Sequence, residues 1–186
     1  VLPRIRYNEA RSFIEQGLDD ISISRAGQSW GIPVPWDPEQ MIYVWVDALI
    51  NYASAVGFAQ DEALFERWWP CDLHVIGKDI TRFHCVIWPA MLHAAGEEIP
   101  ERVWAHGFIY YGGDRFSKSA GVRLDLREAI SRHGPDALRY FLLREVGFAA
   151  DGNFAWERCD ERYLSDLADG LGNLASRSLA MIEKYR

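Results

Sequence analysis

Lys118 stands between two hydroxyls, Ser117 and Ser119, with Arg115 three residues earlier and the pair Gly112-Gly113 just upstream. Cations, hydroxyls and backbone N–H groups gathered in one short stretch suit the stabilisation of charge building on a departing phosphate chain. Glycines at the root suit a loop that swings shut and reopens. No G-x-x-x-x-G-K-S/T loop occurs, so this would be phosphate chemistry of another kind. The same composition also describes a solvated surface loop, and residue type alone does not separate the two.

A second stretch, "HVIGKDITRFH" over 74–84, ends an apolar strand in Gly77 and starts a helix near Asp79. Open parallel sheets bind ligands at the carboxyl ends of their strands. Gly77 lets a ligand approach the backbone, and Asp79 could accept hydrogen bonds from two ribose hydroxyls. Asp79 could equally cap the helix. Trp45, Tyr52 and His84 are three rings with polar tips, and could wall a pocket for a flat base or a soft thioether. Core aromatics have the same spacing. The five histidines lack an H-x-x-x-H spacing and the three cysteines lack a CxxC pair, so no metal site within this chain and no disulfide framework is expected.

These residues must be held by a chain of 186 residues, 49% apolar, with net charge −7. That is enough for one substantial core, and too acidic for a generic DNA-coating protein. Scattered cysteines fit a reduced, cytoplasmic setting. No signal peptide is visible, and "CVIWPAMLHAAG" is too short to span a bilayer, so no membrane partner is expected. A start at Val1 rather than Met suggests an excised or processed piece.

The pattern predicts a helix over 8–18 capped by Asn8 and ended by Gly17, and a short strand over 20–24. Pro33, Pro35 and Pro38 impose an extended, turning segment. "MIYVWV" predicts a strand buried on both faces over 41–46, followed by a helix capped by Asp47. A short helix over 61–69 and a second buried strand over 72–77 come next. A helix kinked near Pro89 and a strand running into the glycine turn at 112–113 follow. Beyond residue 121 the pattern is helical, with a break at Gly134-Pro135. One long helical run covers 156–185, with Leu164, Leu167, Leu171, Leu174 and Leu179 on one side. Strand–helix–strand–helix order implies an α/β fold with a parallel sheet, of which about two units are visible.

"RFSKSAG" over 115–121 resembles the KMSKS loop of class I aminoacyl-tRNA synthetases. "DISISR", "WGIPVPWDP", "YVWVDALINY", "HVIGKDITRFH", "WPAMLHAAG", "AHGF", "DALRYFLLREV" and "LGNLASR" are similar, in the same order, to segments of the methionyl-tRNA synthetase family. The resemblance covers essentially the whole chain. It implies the second half of a class I synthetase Rossmann-like (HUP) nucleotide-binding fold with a helical stem-contact region over 1–152. The first helix of an all-α anticodon-binding bundle would follow over 153–186. The HIGH motif, the first half of the sheet and the zinc-bearing insertion are missing, so zinc would not be bound by this chain.

The reaction implied joins L-methionine to ATP as methionyl-adenylate, then transfers the methionyl group to tRNA(Met). Trp45, Ala48, Tyr52, Ile80 and His84 would shape the methionine pocket, with Arg25 at the methionine–ATP junction. Gly77 and Asp79 would bind adenosine. Lys118, helped by Arg115 and flanked by Ser117 and Ser119, would steady the pyrophosphate. Magnesium would accompany ATP, held chiefly by phosphates and water. Phe116, Ala120 and Val122 stand where the family usually has Met, Leu and Asn, and Val122 removes a hydrogen-bonding side chain. Without its amino-terminal half the fragment is expected to be inactive alone. The alternatives are a class I synthetase for leucine, isoleucine, valine or cysteine, or a non-enzymatic module binding nucleotide, tRNA or a partner protein.

Overall fold

The computed structural model describes residues 1–115 and 125–186, which form two compact units, Val1–His106 and Gly107–Arg186. Ser117, Lys118, Ser119 and the substituted loop positions 116, 120 and 122 lie outside the described residues.

In the first unit, helix α1 (Arg4–Glu15) starts after Pro3, so Asn8 is an interior residue rather than its cap. Gly17, at φ +94°, ends it as expected. Strands β1 (Ser24–Ala26), β2 (Pro33–Val34) and β3 (Asp37–Ile42) form an antiparallel sheet in the order β1-β3-β2. β1 thus begins where the predicted strand over 20–24 ends.

The run over 41–46 is not one buried strand. Its last sheet bonds are Ile42 N–H to the Ile32 carbonyl and Tyr43 N–H to the Ile23 carbonyl. Helix α2 (Val44–Ser54) begins at the next residue. Trp45, Leu49, Tyr52 and Ala53 share one helical face, and Leu49 and Ala53 are buried only if the backbone turns there. A continuous apolar run has no period of its own and hides such a junction. Asp47 consequently lies in the first turn of α2, and its cap is Tyr43, which makes no side-chain capping bond.

Helix α3 (Glu62–Trp68) is capped by Asp61, whose carboxylate accepts the Leu64 N–H at 3.0 Å. Strands β4 (His74–Gly77) and β5 (Val103–His106) pair in parallel, from His74 opposite Val103 to Gly77 opposite His106. A 3-10 turn (Lys78–Ile80), a π turn (Phe83–Ile87) and helix α4 (Trp88–Ala95) connect them. The irregularity therefore precedes Pro89. The Trp88 N–H reaches back five residues to the Phe83 carbonyl, and Pro89 sits in the first turn of α4, where a missing N–H costs little. Leu49, Ala53, Trp69, Trp88 and Leu92 form the core between α2 and α4.

In the second unit, β6 (Ile109–Tyr111) turns through Gly112-Gly113 into β7 (Asp114–Arg115) and pairs in parallel with β8 (Gly152–Phe154). The predicted strand into the glycine turn is broken at Gly107-Phe108, so β5 and β6 belong to different sheets. A Cβ at 107 would meet the Ala150 carbonyl oxygen at 2.3 Å, so only glycine fits there.

Helices α5 (Leu126–His133) and α6 (Pro135–Glu145) are separated at Gly134 as anticipated. A continuous helical run then covers α7 (Trp156–Arg162), a π segment (Tyr163–Gly172) and α8 (Asn173–Tyr185). Phe141 and Phe154 meet edge to face at 5.2 Å in the core of this unit, beside Ala129, Leu138 and Cys159. The Glu145 carboxylate accepts from Arg158 at 2.7 Å and also from Arg162. Leu164, Leu171, Leu174 and Leu179 are exposed.

Candidate functional site

Three of the expected pocket residues meet in the first unit. Trp45 and Tyr52 come from the face of α2, and His84 from the π turn. The imidazole of His84 is 1% exposed and bonded at both nitrogens. Nδ1 lies 3.1 Å from the Ile80 carbonyl oxygen, and Nε2 lies 2.9 Å from the Tyr52 hydroxyl. A carbonyl only accepts, so Nδ1 carries the proton, and in the neutral ring Nε2 accepts the Tyr52 O–H. The phenol oxygen keeps acceptor capacity, and Tyr52 is 37% exposed, so the ring presents an accessible face.

Trp45 meets the edge of His84 at 6.4 Å and stacks on Phe83 at 4.0 Å, nearly parallel. Ala48 lies on the same stripe of α2, between Trp45 and Tyr52, and is exposed. Its methyl is the smallest side chain on that stripe and takes up little room beside the two rings. Ile80 supplies the carbonyl for His84 and packs its side chain toward Ile76, Val103 and Ala105.

Sequence reasoning missed Phe83, His74 and Trp88. The Trp88 indole N–H donates to His74 Nε2 at 3.2 Å, and the His74 ring lies 4.4 Å from that of Tyr52. No sequence spacing joins His74 on β4 to Trp88 at the start of α4. Phe83 beside His84 was readable only as another apolar residue.

Burial disfavours the charged imidazole in both histidines. It pushes His74 down to about 4, aided by the neighbouring His84. It also lowers His84, against an upward pull from the Ile80 carbonyl. Burial raises the Tyr52 phenol, with Cys71 adding to it. At neutral pH this is an uncharged, hydrogen-bonded aromatic wall.

Between about 4 and the ordinary histidine value of 6.5, the unfolded chain binds a proton at position 74 that the folded chain does not. The contribution of His74 is thus fully present above 6.5 and declines as the pH falls toward 4. Urea midpoints measured from pH 7.5 to 4.5 are expected to fall below pH 6.5, and His74→Gln is expected to flatten that limb. The slope per group is at most about 1.4 kcal/mol per pH unit.

Gly77 and Asp79 stand at the carboxyl end of β4. A Cβ on Gly77 would lie 2.7 Å from Asp79 Oδ1, so the missing side chain is what lets this carboxylate fold back over the strand end. Gly77 precedes the turn with no side-chain cap, and Asp79 is exposed within it. Lys78, Asp79, Thr81 and Arg82 line a cleft of ≈ 510 Å³ against α1.

Arg25 is placed elsewhere. Its guanidinium lies 3.9 Å over the Tyr43 ring and donates to the carbonyls of Ser22 and Ser24 at 3.1 and 2.9 Å. The cleft it lines, ≈ 570 Å³, includes Trp30, Tyr43 and Asp47 rather than Trp45, Tyr52 or His84. Arg115 belongs to β7 in the other unit. Among the described residues, no group of three or more His, Cys, Asp or Glu could hold a metal ion, and no helix is long and apolar enough to cross a membrane.

Residues 3–179 match the model of the family "tRNA synthetases class I (M)". A methionine–tRNA ligase of Thermotoga maritima is 50% identical over 185 residues, covering 100% of this chain and 29% of its own length. That of Streptomyces coelicolor is 48% identical, covering 100% of this chain and 34% of its own. A solved structure of Mycobacterium tuberculosis methionyl-tRNA synthetase in complex with methionyl-adenylate superposes with a TM-score of 0.92 at 52% identity. That match covers 98% of this chain and 36% of the other. This chain therefore spans about a third of the length of the relatives it matches. Mixed helices and parallel strand pairs agree with the Rossmann-like α/β fold of class I synthetases, as expected. With the family model matched over residues 3–179 and about half the residues identical across essentially the whole chain, the chain belongs to the methionine–tRNA ligase family of class I aminoacyl-tRNA synthetases.

Proposed function

We propose that this chain forms one wall of the site where L-methionine and ATP become methionyl-adenylate and pyrophosphate, before transfer of the methionyl group to tRNA(Met). The observation that carries the reading is the chain of bonds from Tyr52 through His84 to the Ile80 carbonyl. It presents a neutral phenol beside the open face of Trp45 and Ala48. An apolar, polarisable thioether suits such a wall, since sulfur packs well against ring edges.

Support for the nucleotide half comes from Gly77 and Asp79 at the end of a parallel strand. Asp79 would accept the ribose hydroxyls. ATP enters as its magnesium complex, the ion being part of the substrate. The substrate carboxylate attacks the α-phosphorus, the bond to the bridging oxygen breaks, and pyrophosphate leaves with its electron pair. Such a step needs positioning and charge stabilisation rather than a protein nucleophile. Lys118 and Arg115, with Ser117 and Ser119, would supply the cationic and hydroxyl groups. Residues 1–152 would comprise the catalytic half with the stem-contact region, and 153–186 the start of the anticodon-binding helices.

The test is a chimera in which this chain replaces the matching segment of the Thermotoga maritima ligase. Methionine-dependent ATP–pyrophosphate exchange is the expected result. A folded chimera that exchanges with leucine, isoleucine, valine or cysteine instead, or with none, overturns the reading. The 186-residue chain alone is expected to give no exchange above background, and robust exchange would show that one wall suffices.

Gly77→Ala separates nucleotide from amino-acid binding in the same chimera. The new methyl displaces the end of a flexible carboxylate and little else, so thermal stability is expected to stay within about 1 kcal/mol. The KM for ATP is expected to rise severalfold while that for methionine holds. Equal changes in both would remove Asp79 from the ribose role.

A further inference from the structure

We propose that His74 is a positioning residue for the methionine pocket, holding the Tyr52 ring at the angle from which its hydroxyl meets His84. The inference rests on the reading of that pocket given above. His74 is 5% exposed, and its ring reaches from β4 to Tyr52 on α2 and to Trp88 at the start of α4. Its Nε2 accepts the Trp88 indole N–H at 3.2 Å. Its ring lies 4.4 Å from the Tyr52 ring, tilted by 56°, and 5.8 Å from that of His84. Trp88 meets Tyr52 from a second direction at 6.3 Å.

The two imidazoles thus divide the work. His84 accepts from the tip of Tyr52, and His74 accepts from Trp88 while flanking the body of Tyr52. A phenol that is 37% exposed can swing about its side-chain torsions unless its inner flank is filled. Replacing His74 by an apolar side chain leaves the Trp88 N–H buried without this acceptor. Trp88 must then shift to find another, and Tyr52 loses both flanking surfaces together. An ordinary core histidine would matter to stability alone. This one sets the direction of a hydroxyl.

The experiment uses the Thermotoga maritima chimera with His74→Leu, His74→Gln and Trp88→Phe. Gln places an amide oxygen near the position of Nε2 and can accept the indole N–H. His74→Leu is expected to raise the methionine KM about tenfold, with the ATP KM and kcat within about twofold, the pattern of lost ground-state positioning. His74→Gln is expected to recover most of that loss. With 5-fluorotryptophan incorporated, the 19F resonance of Trp88, assigned by its disappearance in Trp88→Phe, is expected to shift in His74→Leu and return in His74→Gln. Trp88→Phe keeps a ring and removes the donor, so it is expected to show the methionine defect even if His74→Leu does not fold.

A methionine KM unchanged in His74→Leu, or in Trp88→Phe should that variant alone fold, overturns the proposal. So does a loss shared equally between methionine and ATP, or one that His74→Gln does not relieve. If the unmodified chimera shows no methionine-dependent exchange, the reading of the pocket itself falls, and the role of His74 falls with it.

Discussion

Trp88→Ala combined with Leu92→Ala is expected to abolish methionine-dependent exchange in the chimera and to leave most of the protein insoluble or unfolded by circular dichroism. The π turn Phe83–Ile87 hands the chain to α4 through a wide bond from the Trp88 N–H to the Phe83 carbonyl. It delivers Trp88, at 2% exposure, and Leu92, at 3%, to the core they share with Leu49, Ala53 and Trp69. Truncating two such buried side chains costs about 5–10 kcal/mol, comparable to a domain's whole stability. The indole N–H on His74 is lost with them. Near-normal exchange and thermal midpoint in this variant would mean that this core is incidental to the site.

His84→Leu has the second largest expected effect, and it falls on the substrate more than on the fold. Leucine fills much of the space but neither donates to the Ile80 carbonyl nor accepts from Tyr52. Two polar groups lose oriented partners, at about 1–3 kcal/mol each where water does not replace them. Tyr52 is accessible to water and recovers part of this, whereas its direction is lost. We expect the methionine KM in ATP–pyrophosphate exchange to rise roughly 10²-fold, corresponding to about 3 kcal/mol, with the ATP KM nearly unchanged. Tyr52→Phe alone should do less, because it leaves His84 bonded to Ile80. An effect of Tyr52→Phe as large as that of His84→Leu would contradict this ordering.

What the sequence disclosed depended on whether the signal was local. The start of the short helix at 61, the stop at Gly17 and the break at Gly134-Pro135 rest on residues that act within a turn of themselves, and all three fall as expected. The junction at Tyr43 was not legible, because a strand end and a helix start were both written in apolar residues. Trp45 was therefore read as a strand residue, whereas it stands in the first turn of α2, on the stripe that also carries Tyr52. The break at Gly107 could not be seen either, since what forbids a Cβ there is the carbonyl of Ala150, far along the chain. The same limit hid His74 and Trp88. Their bond joins a strand to a helix, and no spacing rule connects the two.

Glu145 lies between Arg158 and Arg162, one helical turn apart. A carboxylate gripped at two points along a rod resists both sliding and spinning of that rod. Helix α7 is thereby given a fixed phase against α6. The run from Trp156 to Tyr185 is helical throughout, so that phase is inherited downstream, after the offset added by the π segment. The compass bearing of the exposed leucines at 171, 174 and 179 is thus decided at Glu145, many residues before they emerge. Whatever meets that stripe is aimed by an acid that never touches it.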